Sequence, residues 1–286
     1  MLSPWLELPG AAERLAGFAE VTGLDLVRLG TTADADEIKD TAITQPLIVA
    51  ATLLAFDALA ERVEIPADAL VAGHSIGEFA AAAMAGALTE RDALALAAVR
   101  GREMAAACEL EPTGMAALVR GTEEAILARL AELDLVAANR NGAGQIVAAG
   151  SAQALKELAA EPPTDSKAIT LKVAGAFHTR YMAPAQEALA AHAATLATPA
   201  DPARTLLSNR DGAVVTDGAE VLSRLVEQVT NPVRWDLCMA TMAERGVSAI
   251  VEFPPAGALV GLAKRELKGV PTVALKTPRT STRWSI

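Results

Sequence analysis

Apolar and polar positions along this chain fall into blocks that switch repeatedly between a helical period and a strand period. Residues 44–62 read as a helix, Ala69–Ala72 as a short strand and residues 76–87 as a second helix. Thr89-Glu90-Arg91-Asp92 has the form of a capping box and opens a helix running to about Glu109. After Pro112 the grain changes. Gly114–Gly121 reads as a strand, Glu123–Leu133 as a helix, and Leu135–Asn139 with Gln145–Gly150 as a hairpin around Asn141-Gly142-Ala143-Gly144. Ala152–Glu161 reads as a helix, Pro162-Pro163 breaks it, and Ala168–Ala174 reads as a strand. This β-α-β-β-α-β order is the ferredoxin-like arrangement. From Pro184 an Ala-rich helix follows, then a strand at Thr205–Ser208, helices over Glu220–Val229 and Trp235–Arg245, and a strand at Ala249–Glu252. The polar tail Arg279–Ile286 reads as loose. The pattern predicts an α/β chain with one discontinuous large domain, residues 1–112 and 178–286, into which a ferredoxin-like subdomain, residues 113–177, is inserted.

Composition narrows this picture. At 286 residues the chain can bury a sizeable core, and 52% hydrophobic residues with 3% aromatic ones point to helices packed through Ala, Leu and Val. The net charge of −10 argues against general nucleic-acid binding. Cys108 and Cys238 match no CxxC or zinc spacing, so two reduced thiols in a cytoplasm are expected. The longest apolar run, Pro46–Phe56, stops at Asp57, short of the roughly 18–20 residues of a membrane span. No basic segment with a cleavage site opens the chain, so no secretory signal is expected.

The strongest chemical signal is Gly73-His74-Ser75-Ile76-Gly77-Glu78, placed between the short strand and a helix. A serine on a tight strand-to-helix turn has its hydroxyl exposed, and glycines on either side are expected because a Cβ there would collide across the turn. The helix start also points N–H groups at any negative charge that develops. Ser75 needs a base. Of three histidines, His74 is too close in sequence to turn onto the hydroxyl, and His192 lies in an Ala-rich helix. His178 ends a strand leaving the small subdomain, where an α/β site gathers its loops, and is the expected base. Arg100 lies at the edge of its helix's apolar stripe, whereas Arg102 points to a solvated face. A buried arginine is costly without an anion, and its planar fork fits a carboxylate.

In family order across nearly the whole chain run Thr44-Gln45-Pro46, Gly73–Glu78, Arg100-Gly101, Gly142-Ala143-Gly144-Gln145, Ala176-Phe177-His178, Ser208-Asn209, Gln228-x-x-Asn231-Pro232-Val233-x-Trp235 and Thr272–Pro278. On these segments the sequence resembles the malonyl-CoA:acyl-carrier-protein transacylase family and the related acyltransferase domains of polyketide synthases. The resemblance implies an α/β-hydrolase-like large domain with an inserted ferredoxin-like subdomain. It implies a malonyl ester on Ser75, His178 as base and then acid, and Arg100 paired with the free malonyl carboxylate. Gln228 is expected to orient the histidine through its backbone carbonyl, and the Ile76 N–H to receive the oxyanion. Gln45 and Asn209 match positions near the site, and Phe177 would crowd a methyl branch on the acyl chain. The implied partners are malonyl-CoA and acyl carrier protein, with no resident cofactor, since phosphopantetheine arrives on the carrier. No nucleic acid or membrane partner is implied, and a cytoplasmic monomer is expected.

Members of this family open with a buried strand and a Pro-Gly-Gln-Gly-x-Gln loop that donates a second oxyanion N–H. No counterpart precedes Met1-Leu2-Ser3. The expectations are a misplaced start codon or shortened gene, and a cost on the order of 10²–10³ in rate without that donor. Two alternatives stay open at this point: a serine thioesterase or esterase on the same architecture, and an inactive paralogue. For an acidic carrier protein, Lys264, Arg265 and Lys268 form the densest basic cluster, while Lys172 and Arg180 flank His178.

Overall fold

A computed structural model describes residues 1–278, so the tail expected to be loose, Arg279–Ile286, lies outside the described residues. Residues 1–43, left unassigned by the hydropathy pattern, form α1 (Ala11–Thr22) and α2 (Leu26–Thr31). They pack on α3 (Thr41–Ala60), which runs against α4 (Gly77–Met84) and α5 (Glu90–Cys108). Asp40 caps α3 by accepting the Ala42 N–H, and Thr89 caps α5 by accepting the Asp92 N–H. α3 is apolar round most of its circumference and mostly buried, with Asp57 half-exposed near its end. It is long and apolar enough to cross a membrane by length and composition alone. The run exceeds the expected length because uncharged Thr41, Thr44 and Gln45 extend it without lowering hydropathy much. Gly101 lets α5 approach α3 closely: a Cβ there would stand 2.7 Å from the Thr41 carbonyl oxygen.

The middle of the chain forms β1 (Thr113–Arg120), α6 (Glu123–Glu132), β2 (Val136–Arg140), β3 (Gln145–Ser151), α7 (Ala152–Ala160) and β4 (Ser166–Thr170). The strands lie in the order β4-β1-β3-β2, all antiparallel. Alternation sorts their side chains onto two faces. Ala116, Leu118, Ile146 and Ala148 pack under Ile126, Leu130, Leu155 and Leu158 of the two helices. Met115, Ala117, Val147 and Ala149 face the other way, toward Ala176, Phe177 and Tyr181. Thr122 and Ser151 cap the two helices. β4 starts earlier than the pattern predicted, because the polar edge residues Ser166 and Lys167 pair with Arg120 and Val119.

The remainder comprises α8 (Ala183–Ala193), β5 (Leu206–Leu207), β6 (Val214–Val215), α9 (Gly218–Glu227), β7 (Val233–Arg234), α10 (Trp235–Glu244), β8 (Ile250–Glu252), α11 (Ala258–Glu266) and β9 (Thr272–Ala274). β5 pairs with β6, β8 runs parallel to β9, and β7 joins the small sheet parallel to β2. The expected strand Ala69–Ala72 is a single parallel bridge, Val71 to Leu206. A turn at Pro66–Ala69 precedes Val71 and the His74–Gly77 turn follows it, leaving Val71 to bond Thr205 and Leu207. Those two contacts fix the entry to the serine turn.

Candidate active site

Ser75 sits between the Val71 bridge and α4 with φ 53°, a left-handed conformation rare for a residue with a Cβ. Such strain persists only where the surroundings over-determine it. Here they do. Gly77 N–H donates to the His74 carbonyl, Glu78 N–H donates to the Ser75 carbonyl, and Gly73 is so tightly folded that a Cβ would lie 2.0 Å from the Gly77 carbonyl carbon. The second glycine behaves differently from expectation: a Cβ on Gly77 would meet nothing within 4 Å, so the turn itself does not require it. Asn209 braces the turn from below, its Oδ1 accepting the Ser75 N–H at 2.7 Å and its Nδ2 donating to the Gly73 carbonyl at 2.7 Å. The Ile76 N–H has no acceptor among the described residues, and it stands beside the serine at the start of α4.

His178 also has a positive φ, 62°, and is buried. Its Nδ1–H donates to the Gln228 carbonyl at 2.8 Å, which fixes the tautomer. Nε2 is therefore the acceptor for the Ser75 hydroxyl at 2.8 Å. Burial, and next the charge of Arg100, push the imidazole pKa down to about 3, so the ring is unprotonated at neutral pH and its Nε2 lone pair is free to accept.

Arg100, only 1% exposed, is held by neutral acceptors alone. Nη1 donates to Gln45 Oε1 at 2.5 Å, and Nη2 to Gln228 Oε1 at 2.9 Å and Ser75 Oγ at 3.2 Å. Its Nε has no partner, and Phe79 lies under the guanidinium at 5.6 Å. Among the described residues no carboxylate pairs with it directly, and burial, only partly opposed by the charge of Glu78, lowers its pKa to about 10. Gln45 is itself pinned by Thr41 and Met104. Arg102, by contrast, is exposed and paired with Glu103.

The expected residues thus converge. Ser75, His178, Arg100 and Gln228 share one hydrogen-bonded cluster with Gln45 and Asn209. Asn209 lies beneath the turn, 0% exposed with both amide atoms occupied, rather than over it where an acyl group would lie. Phe177 is half-buried beside His178, between the large core and the inner face of the small sheet. His74 turns away from the hydroxyl, bonded to Asn141 at 2.9 Å and edge-on to Trp235. His192 lies on α8 outside the cluster. Glu78 and Asn141 were named in sequence only as members of their motifs, with no role of their own; Glu78 was the findable one, an acid in a helix otherwise built of Gly, Ala, Phe and Met. A groove of about 560 Å³ between α8 and α9 is lined by none of Ser75, Arg100 or His178. Among the described residues no group of three His, Cys, Asp or Glu could hold a metal ion.

A serine on a strained elbow, a neutral histidine and a free N–H beside it define the class, an α/β protein built for acyl transfer through serine. Residues 11–277 match the acyl transferase domain, and the chain belongs to that family. It is 60% identical over 279 residues to the malonyl CoA-acyl carrier protein transacylase of Mycobacterium tuberculosis, covering 97% of this chain and 92% of that one. A crystal structure of the enzyme from that organism superposes with a TM-score of 0.94 at 58% identity, over 98% of this chain and 93% of the other. A malonyl-transacylase solved in complex with its type II PKS acyl-carrier protein gives 0.91 at 27% identity, over 99% and 93% of the two chains.

Proposed function

We propose that this chain moves a malonyl group from malonyl-CoA to the phosphopantetheine thiol of acyl carrier protein, through a malonyl ester on Ser75. The observation that carries the reading is Arg100: a sealed guanidinium bonded directly to neutral acceptors only, whose Nη2 lies 3.2 Å from the nucleophile. A substrate with a carboxylate a few bonds from its reacting carbonyl would satisfy both at once. Relatives at 60% identity carry that activity in their name, which supports it.

His178 Nε2 takes the Ser75 proton as Oγ attacks the thioester carbon. The oxyanion faces the Ile76 N–H at the start of α4. Collapse expels CoA, whose sulfur takes the proton from His178 and leaves as the thiol. The carrier's thiol then attacks the ester in the reverse sense, with His178 again base and then acid. Arg100 holds the acyl group in line, a positional contribution as much as an electrostatic one. The chemistry asks for no resident cofactor. Phe177 beside His178 favours an unbranched malonyl unit, a preference worth ~1–3 kcal/mol per methyl. We place the reaction in the cytoplasm, a reading supported by the two free thiols, Cys108 and Cys238.

Intact-mass analysis after mixing with malonyl-CoA tests this. The expected result is one malonyl adduct, absent in Ser75→Ala and discharged by holo carrier protein. No adduct, or an adduct that only water discharges, overturns the reading in favour of an inactive chain or a thioesterase.

A further inference from the structure

Glu78 and Arg100 are the only fully buried Asp, Glu, Lys or Arg among the described residues, and the acyl-transfer steps above use only one of them. They belong to a single network. Gln228 Oε1 accepts from Arg100, and Gln228 Nε2 donates to Glu78 Oε2, so one amide bridges the two charges and both orient it. Glu78 Oε1 accepts the Asn209 N–H at 2.9 Å, and Asn209 in turn holds the Ser75 N–H. The carboxylate thus ties together the serine turn, the loop beneath it and the segment that orients His178. The two charges face each other across this amide without touching.

A substrate carboxylate would change that balance. Two carboxylates would then share one guanidinium in a site closed to water, and like charges in such a place do not both stay ionised. We propose that Glu78 is the resident counter-charge of Arg100, and that arrival of a substrate carboxylate at Arg100 drives a proton from solvent onto Glu78, whereas a neutral acyl group does not. This rests on the malonyl-transfer reading.

The groups around Glu78 leave it as the one that titrates near neutrality. Arg100 faces it from α5, His74 lies on its own turn, and Cys238 approaches from α10. Arg224 of α9 lines a small void beside it but is bound to Asp211 and Glu220. Burial holds His178 down to about 3, lowers His74 and raises Cys238. The same burial, only partly opposed by its hydrogen bonds, raises Glu78 to about 7. Ser208 acts against that rise, and a hydroxyl can turn from donor to acceptor to receive the added proton. By linkage, whatever protonates Glu78 also tightens the site for a carboxylate.

The experiment mixes wild-type protein with malonyl-CoA in weakly buffered solution at pH 7, follows a pH indicator through the first turnover, and confirms the Ser75 adduct by mass. Acetyl-CoA and Glu78→Gln are run in parallel. The expected uptake is about half a proton per malonyl adduct at pH 7, since a group of that pKa is half ionised there. It should fall toward zero by pH 5.5, and be absent with acetyl-CoA and in Glu78→Gln. In the wild type the KM for malonyl-CoA should rise as pH passes above 7, with kcat less affected, and Glu78→Gln should flatten that rise. A full malonyl adduct with no proton uptake between pH 6 and 8 overturns the counter-charge proposal and leaves malonyl transfer standing. The wild-type trace decides this even if the variant misfolds. Absence of any adduct instead fails the malonyl reading, and this proposal with it.

Discussion

Beneath α6 and α7 the small sheet buries nothing but apolar side chains, whereas around Ser75 the buried groups are a guanidinium, a carboxylate, an imidazole and three amides. In the first region each helix start is capped by an adjacent Thr or Ser, and burial stabilises roughly in proportion to area. The second runs against those rules. Arg100 and Glu78 are sealed from water with only an amide between them, and Ser75 and His178 hold within the reacting cluster a positive φ that the small subdomain keeps to its turns and strand ends, at Arg120, Asp134, Ala143 and Asp165. One region stabilises the fold and the other spends that stability on a geometry that only a reaction explains.

The comparison is broken most sharply at Arg100. Arg100→Ala should lower kcat/KM for malonyl-CoA by about 10³, since truncating one partner of a buried charged pair costs ~2–5 kcal/mol. The loss for acetyl-CoA should be much smaller; equal losses on both donors would remove the carboxylate role. The same variant tests the electrostatics. Arg100 is the second cause, after burial, of the depressed His178 pKa. Its removal lets that pKa rise, so the acid limb of the kcat/KM profile should move to higher pH. A limb that stays in place or moves down would mean that the two groups do not sense each other.

In the sheet the expected effect is of opposite kind. Leu118 is 0% exposed in the core under α6 and α7. Leu118→Ala should cost about 2–4 kcal/mol in urea-induced unfolding through lost burial and a residual cavity. The malonyl-transfer rate per folded molecule should hardly change. A specific-activity loss matching that of Arg100→Ala would show that the two regions are not separable.

That contrast also explains what could be read in advance. The small sheet was legible because its signals are local: alternation in Gly114–Gly121, a cap at Thr122, a break at Pro162-Pro163. The serine turn was legible for the same reason. Convergence was legible only through the family resemblance, because nothing near Arg100 in sequence reveals that Gln45 and Gln228 will reach it. Very short pairings such as β6, β7 and β9 carry too few residues to show a period, and β4 was misplaced because its start is polar. Glu78 was misjudged by omission. An acid in a first helical turn ordinarily faces solvent and favours the dipole, and its burial is imposed by Asn209 and Gln228, more than a hundred residues on.

The smallest expected effect sharpens the comparison within a single turn. Gly73 and Gly77 read alike in sequence, yet a Cβ on Gly73 would collide with backbone while one on Gly77 would meet open space. Gly77 also opens α4 at a φ that other residues adopt, so Gly77→Ala should stabilise the protein by ~0.5–1 kcal/mol by restricting the unfolded chain. A thermal melt reads that gain. Gly73→Ala should lower stability in the same assay because no flexible side chain can yield there. If the gain at Gly77 comes with a several-fold drop in malonyl transfer, the open space is used by the acyl donor, and the glycine is kept for substrate rather than for the turn. A loss of stability at Gly77 would instead return both glycines to one structural role.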